Sequence, residues 1–595
     1  MLSVLLSWLY IAAVCLFTGC LVWHLLRRFF AGLKPGVTEL IVTGAVVITV
    51  LAEYISIFTG IRANMQVCCL FLACFGAVLE LGLSRKGSAE PGGSQSLLTL
   101  AVRRTDFLHG KFLPAAVLFV LFCLFLSFYT SRGDFHVDSL MYHINNIRVY
   151  EEVGLMKGMA NIQWQFGYNS AYLAFASVFS FGWLFKNPLH TTTGFLELVF
   201  GWWAIAGLLD FRSHRHHFGD AGRLSILIYI LNILVRSMSP ATDFGALLFA
   251  AFVIADWMSI HECSNSAAIE NAADAEQQDP VLKMAFLSVL STFVLTLKVS
   301  AALLVLAALV PGIRLLRKKE WKKVLAFLGM GIVIVLPFLI RNYYISGWLI
   351  YPFTGINLFH VDWKVPASIA EHDAAQIKTW GRGLNDAARI DTPMREWIPV
   401  WWDSLQYYEK TLMKADLMSM VILLWQFLRA KRRKKPLPFV QLSMLLVILL
   451  SMTFWFIEAS FIRYGLVFLL YPPAAALFLL LDQRGWDVST VFCGLLAGWM
   501  IFFVTPFLDN YFEDATTFAH AHFMENEYLI FQKEYPTQKT IPLQVGKFTV
   551  QAPDWPYDYN NYSTFPSTSY DFEALMCTSR GETLRDGFRN VEVGQ

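Results

Sequence analysis

Charged residues are scarce in this sequence of 595 residues. They make up 15% of the chain, whereas apolar residues account for 56%. A soluble protein usually carries about 25% charged residues, so the composition excludes an ordinary soluble chain and favours one whose main solvent is lipid. The formal net charge of +2 also provides no basic field for nucleic acid and no acidic field for cationic partners.

Paired cysteines and internal repeats are also lacking. Most of the nine cysteines lie inside apolar runs, where a thiol behaves as a small hydrophobe, and Cys263 and Cys577 stand alone in polar stretches. This distribution excludes a disulfide framework and a CxxC metal site. We find no convincing internal repeat, which disfavours a transporter built from inverted repeats.

Long apolar runs, by contrast, recur along almost the whole chain. A helix that crosses about 30 Å of hydrocarbon needs around 20 mostly apolar residues, and about fourteen runs approach that length. The opening run has neither a basic n-region nor a small-residue cleavage site, so we expect a span there rather than a removable signal peptide. The predicted spans are 2–26, 37–58, 65–83, 112–129, 191–211, 221–238, 244–258, 284–297, 301–316, 324–340, 412–428, 439–457, 464–481 and 491–508.

Basic clusters orient these spans, because lysine and arginine concentrate on the cytoplasmic side. The chain has five such basic clusters. All of them fall on the cytoplasmic side only if the stretch 284–316 forms two spans that meet at Lys298 and if residues 170–185 do not cross the membrane. We therefore predict that 170–185 forms an amphipathic interfacial helix. Both termini are then expected outside.

The predicted fold is an all-α polytopic membrane protein in three parts. Residues 1–111 provide N-terminal transmembrane helices and a cytoplasmic linker, and residues 112–508 form a transmembrane module with external loops 130–190 and 341–411. Residues 509–595 form a small external segment, in which apolar and polar residues alternate between turn formers and predict strands, hence an α/β or β-containing tail.

The most informative polar stretch follows the fourth predicted span. Residues 132–173 read RGDFHVDSLMYHINNIRVYEEVGLMKGMANIQWQFGYNSAYL. A helix that begins at Asp138 would place Asp138, Tyr142 and Asn145 on one face, with His143 beside them. A carboxylate beside amide and aromatic groups offers a sugar hydroxyl a base, hydrogen-bond partners and a stacking platform. Alternatively, these acids solvate a loop or cap a helix.

A divalent metal is a second alternative for this stretch. Two histidines and two aspartates occur close together, although their spacing matches no standard zinc pattern. No other cofactor is indicated.

Several motifs in order resemble the GT-C superfamily of membrane glycosyltransferases. DSLMYH, 138–143, is similar to the acid-x-x-x-aromatic signature of protein mannosyltransferases and lipid A aminoarabinose transferases. Further similarities lie in SMSPATDFGALLF, 237–249, LTLKVSA, 295–301, PFLIRNYYISGWLIYP, 337–352, and FIRYGLVFLLYP, 461–472. The resemblance covers about residues 112–508. A single Asp138 instead of adjacent acids, and three additional N-terminal spans, depart from the pattern.

The resemblance implies inverting transfer of a sugar from a polyprenyl-phosphate donor to a glycan, lipid or protein acceptor. The reaction would take place at the periplasmic face of a bacterial inner membrane, among membrane lipids. It implies Asp138 as the general base, with Asp134 one turn earlier as its rival and His143 beside it.

The remaining candidates follow from charge and position. Arg341 and Arg463, each at an outer span end, and Lys298, inside an apolar run, are candidates for binding the donor phosphate, although an arginine at an interface is often only an anchor. The candidate substrate-binding residues are Tyr142, Asn145, Asn161, Trp164, Asn169 and Asp243.

Two other functions compete with this interpretation. A secondary transporter would also have about a dozen spans and a few intramembrane charges. Its acids, however, would lie near the membrane midplane rather than in a loop. A polymerase or ligase of lipid-linked glycans would carry out related chemistry. Parallel assays of transport and of transfer of a lipid-linked sugar would separate these three functions.

Overall fold

The computed structural model describes residues 1–27, 30, 32–87, 96–104, 112–209, 217–260, 279–433, 439–483, 526–554, 559 and 561–591. Most of them are helical. The α-helices are α1 Leu2–Leu26, α2 Val37–Phe58, α3 Ala63–Gly87, α4 Leu97–Arg104, α5 Phe112–Arg132, α6 Ile144–Glu152, α7 Ala171–Val178, α8 Thr192–Leu208, α9 His217–Ile233, α10 Thr242–Met258, α11 Pro280–Leu297, α12 Leu309–Arg317, α13 Trp321–Ser346, α14 Ala367–Gly381, α15 Met394–Ser404, α16 Tyr407–Arg432, α17 Phe439–Glu458, α18 Ile462–Gln483 and α19 Asp571–Leu575.

Eleven helices in these described ranges are long and apolar enough to cross a membrane. The polytopic helical architecture predicted from the sequence is thereby confirmed. Of the fourteen predicted spans, 191–211 and 244–258 coincide with the 17-residue helices α8 and α10, which are not among the eleven. The predicted span 491–508 lies outside the described residues, so the count of fourteen stays a prediction.

Helix α10 is the central helix of the bundle. All 17 of its residues are buried, and α7, α8, α9, α11, α17 and α18 pack around it. Its sequence is apolar on every side, as expected of a helix without a lipid-facing or solvent-facing stripe. Its N-terminal turn carries Thr242 and Asp243, which places a carboxylate at the positive end of the helix dipole.

The predicted break at Lys298 is present. Lys298 has an extended backbone, with φ −159° and ψ 128°, and separates α11 from a 3₁₀ helix, Val299–Ala308, which continues into α12. The two halves pack against each other as separate apolar helices. A residue from another segment stabilises this break, because the Ser170 hydroxyl donates a hydrogen bond to the Leu297 carbonyl at 2.7 Å.

The prediction that 170–185 forms an amphipathic helix at the membrane interface is wrong about the surroundings of the helix. The segment forms α7, which at eight residues extends only about 12 Å and does not cross a bilayer. However, all eight residues are buried, so α7 is enclosed by other helices and has no lipid-facing stripe. Aromatic and aliphatic residues do become exposed just after it, at Trp183, Leu184 and Phe185.

The C-terminal segment contains the only strands in the described part of the chain. Thr540–Val545 (β1) pairs antiparallel with Phe548–Pro553 (β2), and Cys577–Ser579 (β3) pairs with Phe588–Asn590 (β4). The segment contacts the first polar loop, residues 130–190, because the backbone N–H of Phe588 donates to the Lys157 carbonyl and that of Lys533 donates to the Ser131 carbonyl. The Met1 amino group donates to the Tyr528 carbonyl at 2.6 Å, so the N-terminus and the C-terminal segment lie at the same end of the bundle as this loop.

Candidate functional site

The chain reaches the candidate site just after α5 ends. The backbone N–H of Asp134 donates to the Val235 carbonyl at 2.8 Å, which docks this exit against the end of α9. Glycine is required at position 133, because a Cβ there would lie 2.3 Å from the Val235 carbonyl oxygen. The close approach fixes the direction in which the chain continues towards Asp138.

Asp138 begins a single π-helical turn, Ser139–His143, before α6 starts at Ile144. The N–H of Ile144 donates to the Ser139 carbonyl and closes the wide turn. The sequence predicted a regular helix with Asp138, Tyr142 and Asn145 on one face. A π turn holds more residues than an α turn, so it rotates Asn145 away from the face of Asp138.

The Asp138 carboxylate pairs with Arg463, which comes from the first turn of α18. Arg463 Nη2 lies 2.9 Å from Asp138 Oδ2, and the exposed fractions of the two side chains are 34% and 18%. A partly buried arginine beside a carboxylate forms a charge-assisted hydrogen bond, which is stronger than a neutral one. Two segments more than 300 residues apart in sequence are therefore joined at this point.

His136 receives the other nitrogen of the same guanidinium. Arg463 Nη1 lies 2.7 Å from His136 Nε2. Arginine only donates, so Nε2 accepts, while Nδ1 lies 3.1 Å from the backbone nitrogen of Asp138 and 3.8 Å from Asp138 Oδ2. Burial lowers the pKa of His136 to about 4, with Arg463 adding to the effect against Asp138, and the ring is neutral at pH 7.

Lys298 and Asp243 complete the group. Lys298 forms an ion pair with Asp243 Oδ1, and its Nζ lies 4.0 Å from the centre of the Tyr464 ring. Arg463 Nε lies 3.7 Å from Asp243 Oδ2, so this arginine faces both carboxylates. We call Asp138, Arg463, Asp243 and Lys298 the ion cluster. It holds two carboxylates and two cations, which are contributed by four separate segments.

The pKa of Asp138 is lowered below its ordinary value. Burial alone would raise the pKa, but Arg463 opposes burial, and the fields of His136, His143 and Lys298 act in the same direction as Arg463. The carboxylate is thus ionised at neutral pH. Its basicity depends on how closely Arg463 stays paired with it.

His143 lies behind the ion cluster in a hydroxyl-lined position. Its Nδ1 is 3.1 Å from Ser139 Oγ, its Nε2 is 3.5 Å from Thr242 Oγ1, and Ser239 donates to Ser139 at 2.7 Å. Burial lowers the pKa of His143 to about 3, so the ring is neutral. His143 is 2% exposed, and it supports the turn that carries Asp138.

An aromatic wall, formed by Tyr142 and Tyr168, extends from this turn towards the second polar loop, residues 341–411. The Tyr142 ring packs edge-on against His143 at 4.3 Å and against Tyr168 at 6.0 Å. The Tyr168 hydroxyl donates to Asp373 Oδ1 of α14 at 2.5 Å. Burial raises the pKa of Asp373 to about 6, while Tyr168 acts in the opposite direction.

Asp134, the rival acid, lies outside this arrangement. Its side chain is 59% exposed and pairs with Lys533 of the C-terminal segment at 3.2 Å. Arg341 also lies elsewhere. Its guanidinium donates to Ser56 at 2.6 Å and to the Gly154 carbonyl at 2.9 Å, and it lies over the Tyr150 ring. The structure therefore does not bring Arg341 to the donor-phosphate position expected for it.

The predicted amide and tryptophan contacts are mostly engaged within the protein. Asn161 donates to the carbonyls of Gly158 and Trp363, and Asn169 donates to the Phe338 carbonyl. Trp164 donates through its backbone N–H to Glu573, while its ring packs against His372 and Phe572. Asn145 differs, because its buried amide has no hydrogen-bond partner among the described residues.

A metal site does not emerge from these side chains. The described residues contain no group of three or more histidine, cysteine, aspartate and glutamate side chains placed to hold a metal ion. Within the ion cluster each carboxylate instead faces a cationic side chain.

Sequence reasoning missed two contributors to the site, Tyr464 and Asp373, and considered His136 only among the histidines that could bind a metal. His136 and Tyr464 bind Arg463, and Asp373 backs the aromatic wall. His136 and Tyr464 adjoin residues that were singled out, so their signal was proximity in sequence. Asp373 occurs in a polar loop with several other acids, and no pattern distinguishes it.

Comparison with known proteins assigns the chain to one protein family. Neither a curated protein nor a solved structure matches the chain. One family model, described as a domain of unknown function (DUF8201), matches residues 1–470 of the 595. The matched region includes all four residues of the ion cluster together with the N-terminal helices. Because the match covers well over half of the chain, this protein belongs to the DUF8201 family.

Proposed function

We propose that this protein is a membrane glycosyltransferase. It would move a sugar from a polyprenyl-phosphate donor to a glycan, lipid or protein acceptor at the periplasmic face of a bacterial inner membrane. The observation that carries the proposal is the ion cluster, in which a candidate base and two cations meet where α5 ends and α18 begins. An isoprenoid dissolves only in the bilayer and a sugar only in water, so their reaction needs a site at the boundary between membrane and water.

Arg463 and Lys298 are the proposed ligands of the donor phosphate. Each cation is now paired with a carboxylate, which a phosphate can replace with its own negative oxygens. The planar guanidinium can bind two phosphate oxygens at once, whereas Lys298 supplies a point charge. Both cations would also stabilise the charge that develops on the departing polyprenyl phosphate.

Asp138 is the proposed general base. The acceptor hydroxyl oxygen attacks the anomeric carbon as the bond from that carbon to the phosphate oxygen breaks. The hydroxyl proton passes to Asp138, and polyprenyl phosphate leaves with the bonding electrons. A single displacement of this kind inverts the anomeric centre and needs one carboxylate.

Donor binding would increase the basicity of Asp138. Arg463 holds the pKa of Asp138 low while the two are paired. When a phosphate engages Arg463, the carboxylate loses part of this stabilisation and becomes a stronger base. The enzyme would therefore hold an inactive ion pair until the donor arrives, which limits proton abstraction without a sugar to transfer.

The aromatic wall is the proposed acceptor side. Tyr142 and Tyr168 lead from the turn of Asp138 to Asp373, and they offer ring faces and a carboxylate to a hydroxyl-rich ligand. The C-terminal segment reaches the same region through the contact between Glu573 and Trp164. This placement favours a role for that segment near the acceptor.

One observation favours the transporter alternative. Lys283 lies at the start of α11, forms an ion pair with Glu39 and lies 2.6 Å from Asp256, and all three side chains are buried. Ion pairs inside a membrane bundle often mark ion or substrate pathways. They also occur as internal contacts between helices, so the alternative needs a direct test.

Activity of the purified protein separates the alternatives. Protein in detergent is incubated with a polyprenyl-phosphate-linked sugar and candidate acceptors, and sugar transfer with release of polyprenyl phosphate is measured. Reconstituted vesicles are tested in parallel for uptake of the free sugar. We expect transfer that Asp138→Asn lowers on the order of 10² to 10⁴-fold. Uptake without transfer would overturn the proposal in favour of a transporter, and linkage of whole lipid-borne glycans would favour a polymerase or ligase.

A further inference from the structure

An open groove runs between α11, α12 and α13, away from the ion cluster. Its volume is about 510 Å³, and its walls are almost wholly aliphatic and aromatic. The two hydroxyls in the walls are satisfied within their own helix, because Ser288 donates to Met284 and Thr292 donates to Ser288. The groove thus presents no unpaired polar side chain from its lining, and its natural occupant is hydrocarbon.

Two glycines keep the groove open. A Cβ at Gly312 would meet nothing within 4 Å, and a Cβ at Gly331 would meet only Thr292, at 3.8 Å. Both glycines line the groove. Larger side chains at these positions would project into the space without displacing backbone. Gly329, two residues before Gly331 in α13, also has open space around it but is not part of the lining.

One end of the groove carries a dense basic turn. Leu315 and Val324 line that end, and the turn between them joins α12 to α13. Four exposed basic side chains surround it, Arg317, Lys318, Lys319 and Lys322. The turn's one acid, Glu320, is already paired with Lys323 at 2.5 Å. The turn is therefore strongly positive beside an apolar slot.

The basic turn lies far from the ion cluster. Ten residues of 3₁₀ helix and nine of α-helix separate Lys298 from Lys318, a length of roughly 33 Å. That distance is enough to cross the hydrocarbon core, which is about 30 Å thick. A headgroup at the basic turn would thus belong to the leaflet opposite the one that holds the ion cluster.

We propose that this groove binds an anionic phospholipid of that opposite leaflet. Its acyl chains would lie between α11, α12 and α13, and its phosphate would contact the basic turn. Basic pockets between transmembrane helices on the cytoplasmic side recognise anionic headgroups, and the positive-inside rule assigns the basic turn to that side. The inference does not depend on the proposed glycosyltransferase activity.

Lipid retention by the full-length protein tests the proposal. Protein is equilibrated with mixed vesicles of phosphatidylglycerol and phosphatidylcholine, extracted gently, and its bound lipids are counted by native mass spectrometry. We expect selective retention of phosphatidylglycerol. Gly331→Leu and Gly312→Leu should reduce it on the order of 10-fold by filling the groove, whereas Gly329→Leu, the matched control, should leave it unchanged.

Charge variants provide an independent arm, because exposed lysines can be replaced without changing the core. Lys318→Ala with Lys319→Ala should weaken phosphatidylglycerol retention on the order of 10-fold and leave phosphatidylcholine unaffected. Equal effects of all three glycine variants, or equal retention of both lipids by the wild type, would overturn the proposal. Displacement of the bound lipid by polyprenyl phosphate would also overturn it and would assign the groove to the donor.

Discussion

Two aspartates four residues apart in the sequence occupy very different surroundings. Asp138 is 18% exposed and faces Arg463, whereas Asp134 is 59% exposed and pairs with Lys533 near the surface. We expect Asp138→Asn to lower transfer on the order of 10² to 10⁴-fold, because it removes the base while retaining shape. Asp134→Asn should leave the rate close to that of the wild type. Turnover of both variants at matched expression measures the difference.

A wild-type rate for Asp138→Asn would remove Asp138 from the mechanism. A loss confined to Asp134→Asn would instead move the base one turn back, to the carboxylate beside the C-terminal segment. Each result is interpretable only if the variant inserts into the membrane normally, which extraction and size-exclusion chromatography establish.

Arg463 uses its planar guanidinium in several directions. Nη1 faces His136, and Nη2 faces both Asp138 and the Tyr464 hydroxyl. Arg463→Ala should raise the KM for the donor strongly, and Arg463→Lys should restore only part of it, because an ammonium cannot reproduce this fork. Initial rates at varied donor concentration provide the comparison. Full rescue by lysine would reduce Arg463 to a simple positive charge.

The same arginine should also control pH dependence. Arg463 lowers the pKa of Asp138 against the effect of burial, so its removal should raise that pKa. A general base must be ionised, and activity therefore falls as pH drops through its pKa. The acid limb of the remaining activity of Arg463→Ala should shift to higher pH. An unshifted limb would indicate that another group is titrating.

Charge in an apolar context was the strongest residue-level signal in the sequence. Lys298 stood out because an ionised side chain is costly beside lipid, Arg463 because it begins a span at the outer side, and Asp243 through the family resemblance; the structure brings all three into the ion cluster with Asp138. Amides carry no comparable signal. Asn161 and Asn169 bind backbone carbonyls of distant segments, and local sequence does not distinguish such contacts from contacts with a ligand.

Among the elements, helix positions followed from the sequence better than helix environments. The break at Lys298 was predictable because basic clusters on both sides required two crossings. The burial of α7 was not, because an apolar segment of eight residues reads the same whether lipid or protein surrounds it. The enclosing partners, including α2, α6, α10 and α11, come from separate segments between residues 37 and 297.

The C-terminal element α19 should respond to pH through Glu573. Burial, reinforced by Asp373, raises the pKa of Glu573 from its ordinary 4.5 to about 8, although the Trp164 N–H opposes this. The folded state thus holds the proton more tightly than the unfolded chain. Its stabilising effect is complete below about pH 4.5 and is lost progressively as pH rises to about 8.

We therefore expect the docking of α19 to loosen between pH 5 and pH 8. Hydrogen exchange at the Trp164 amide, corrected for intrinsic rates, should lose protection over this range in the wild type and much less in Glu573→Gln. Glu582→Gln is the matched control, because Glu582 is 78% exposed in the same segment. Equal pH dependence in the wild type and Glu573→Gln would contradict the assignment.

At the scale of the whole molecule, one end of the bundle gathers most of the polar chain. Met1 contacts Tyr528, Lys533 contacts Ser131, and Phe588 contacts Lys157, so the N-terminus, the first polar loop and the C-terminal segment share that end. The ion cluster lies at the same end, because it forms where α5 ends and α18 begins. The basic turn between α12 and α13 lies at the opposite end.

This arrangement makes membrane orientation the decisive whole-molecule prediction. If basic turns face the cytoplasm, a reporter fused after Lys435 should be cytoplasmic, and one fused after Gln595 should be external together with the ion cluster. Helix α18 begins at the cluster and runs 22 residues, roughly 33 Å, away from it, whereas Tyr528 is back at the cluster end. The predicted even number of spans requires such a return.

Paired alkaline phosphatase and fluorescent-protein fusions at both positions measure the orientation, since each reporter is active on only one side. A cytoplasmic signal after Gln595 would invert the predicted orientation, because the C-terminal segment lies at the cluster end, and would place the ion cluster on the cytoplasmic side, where a periplasmic sugar transfer could not occur.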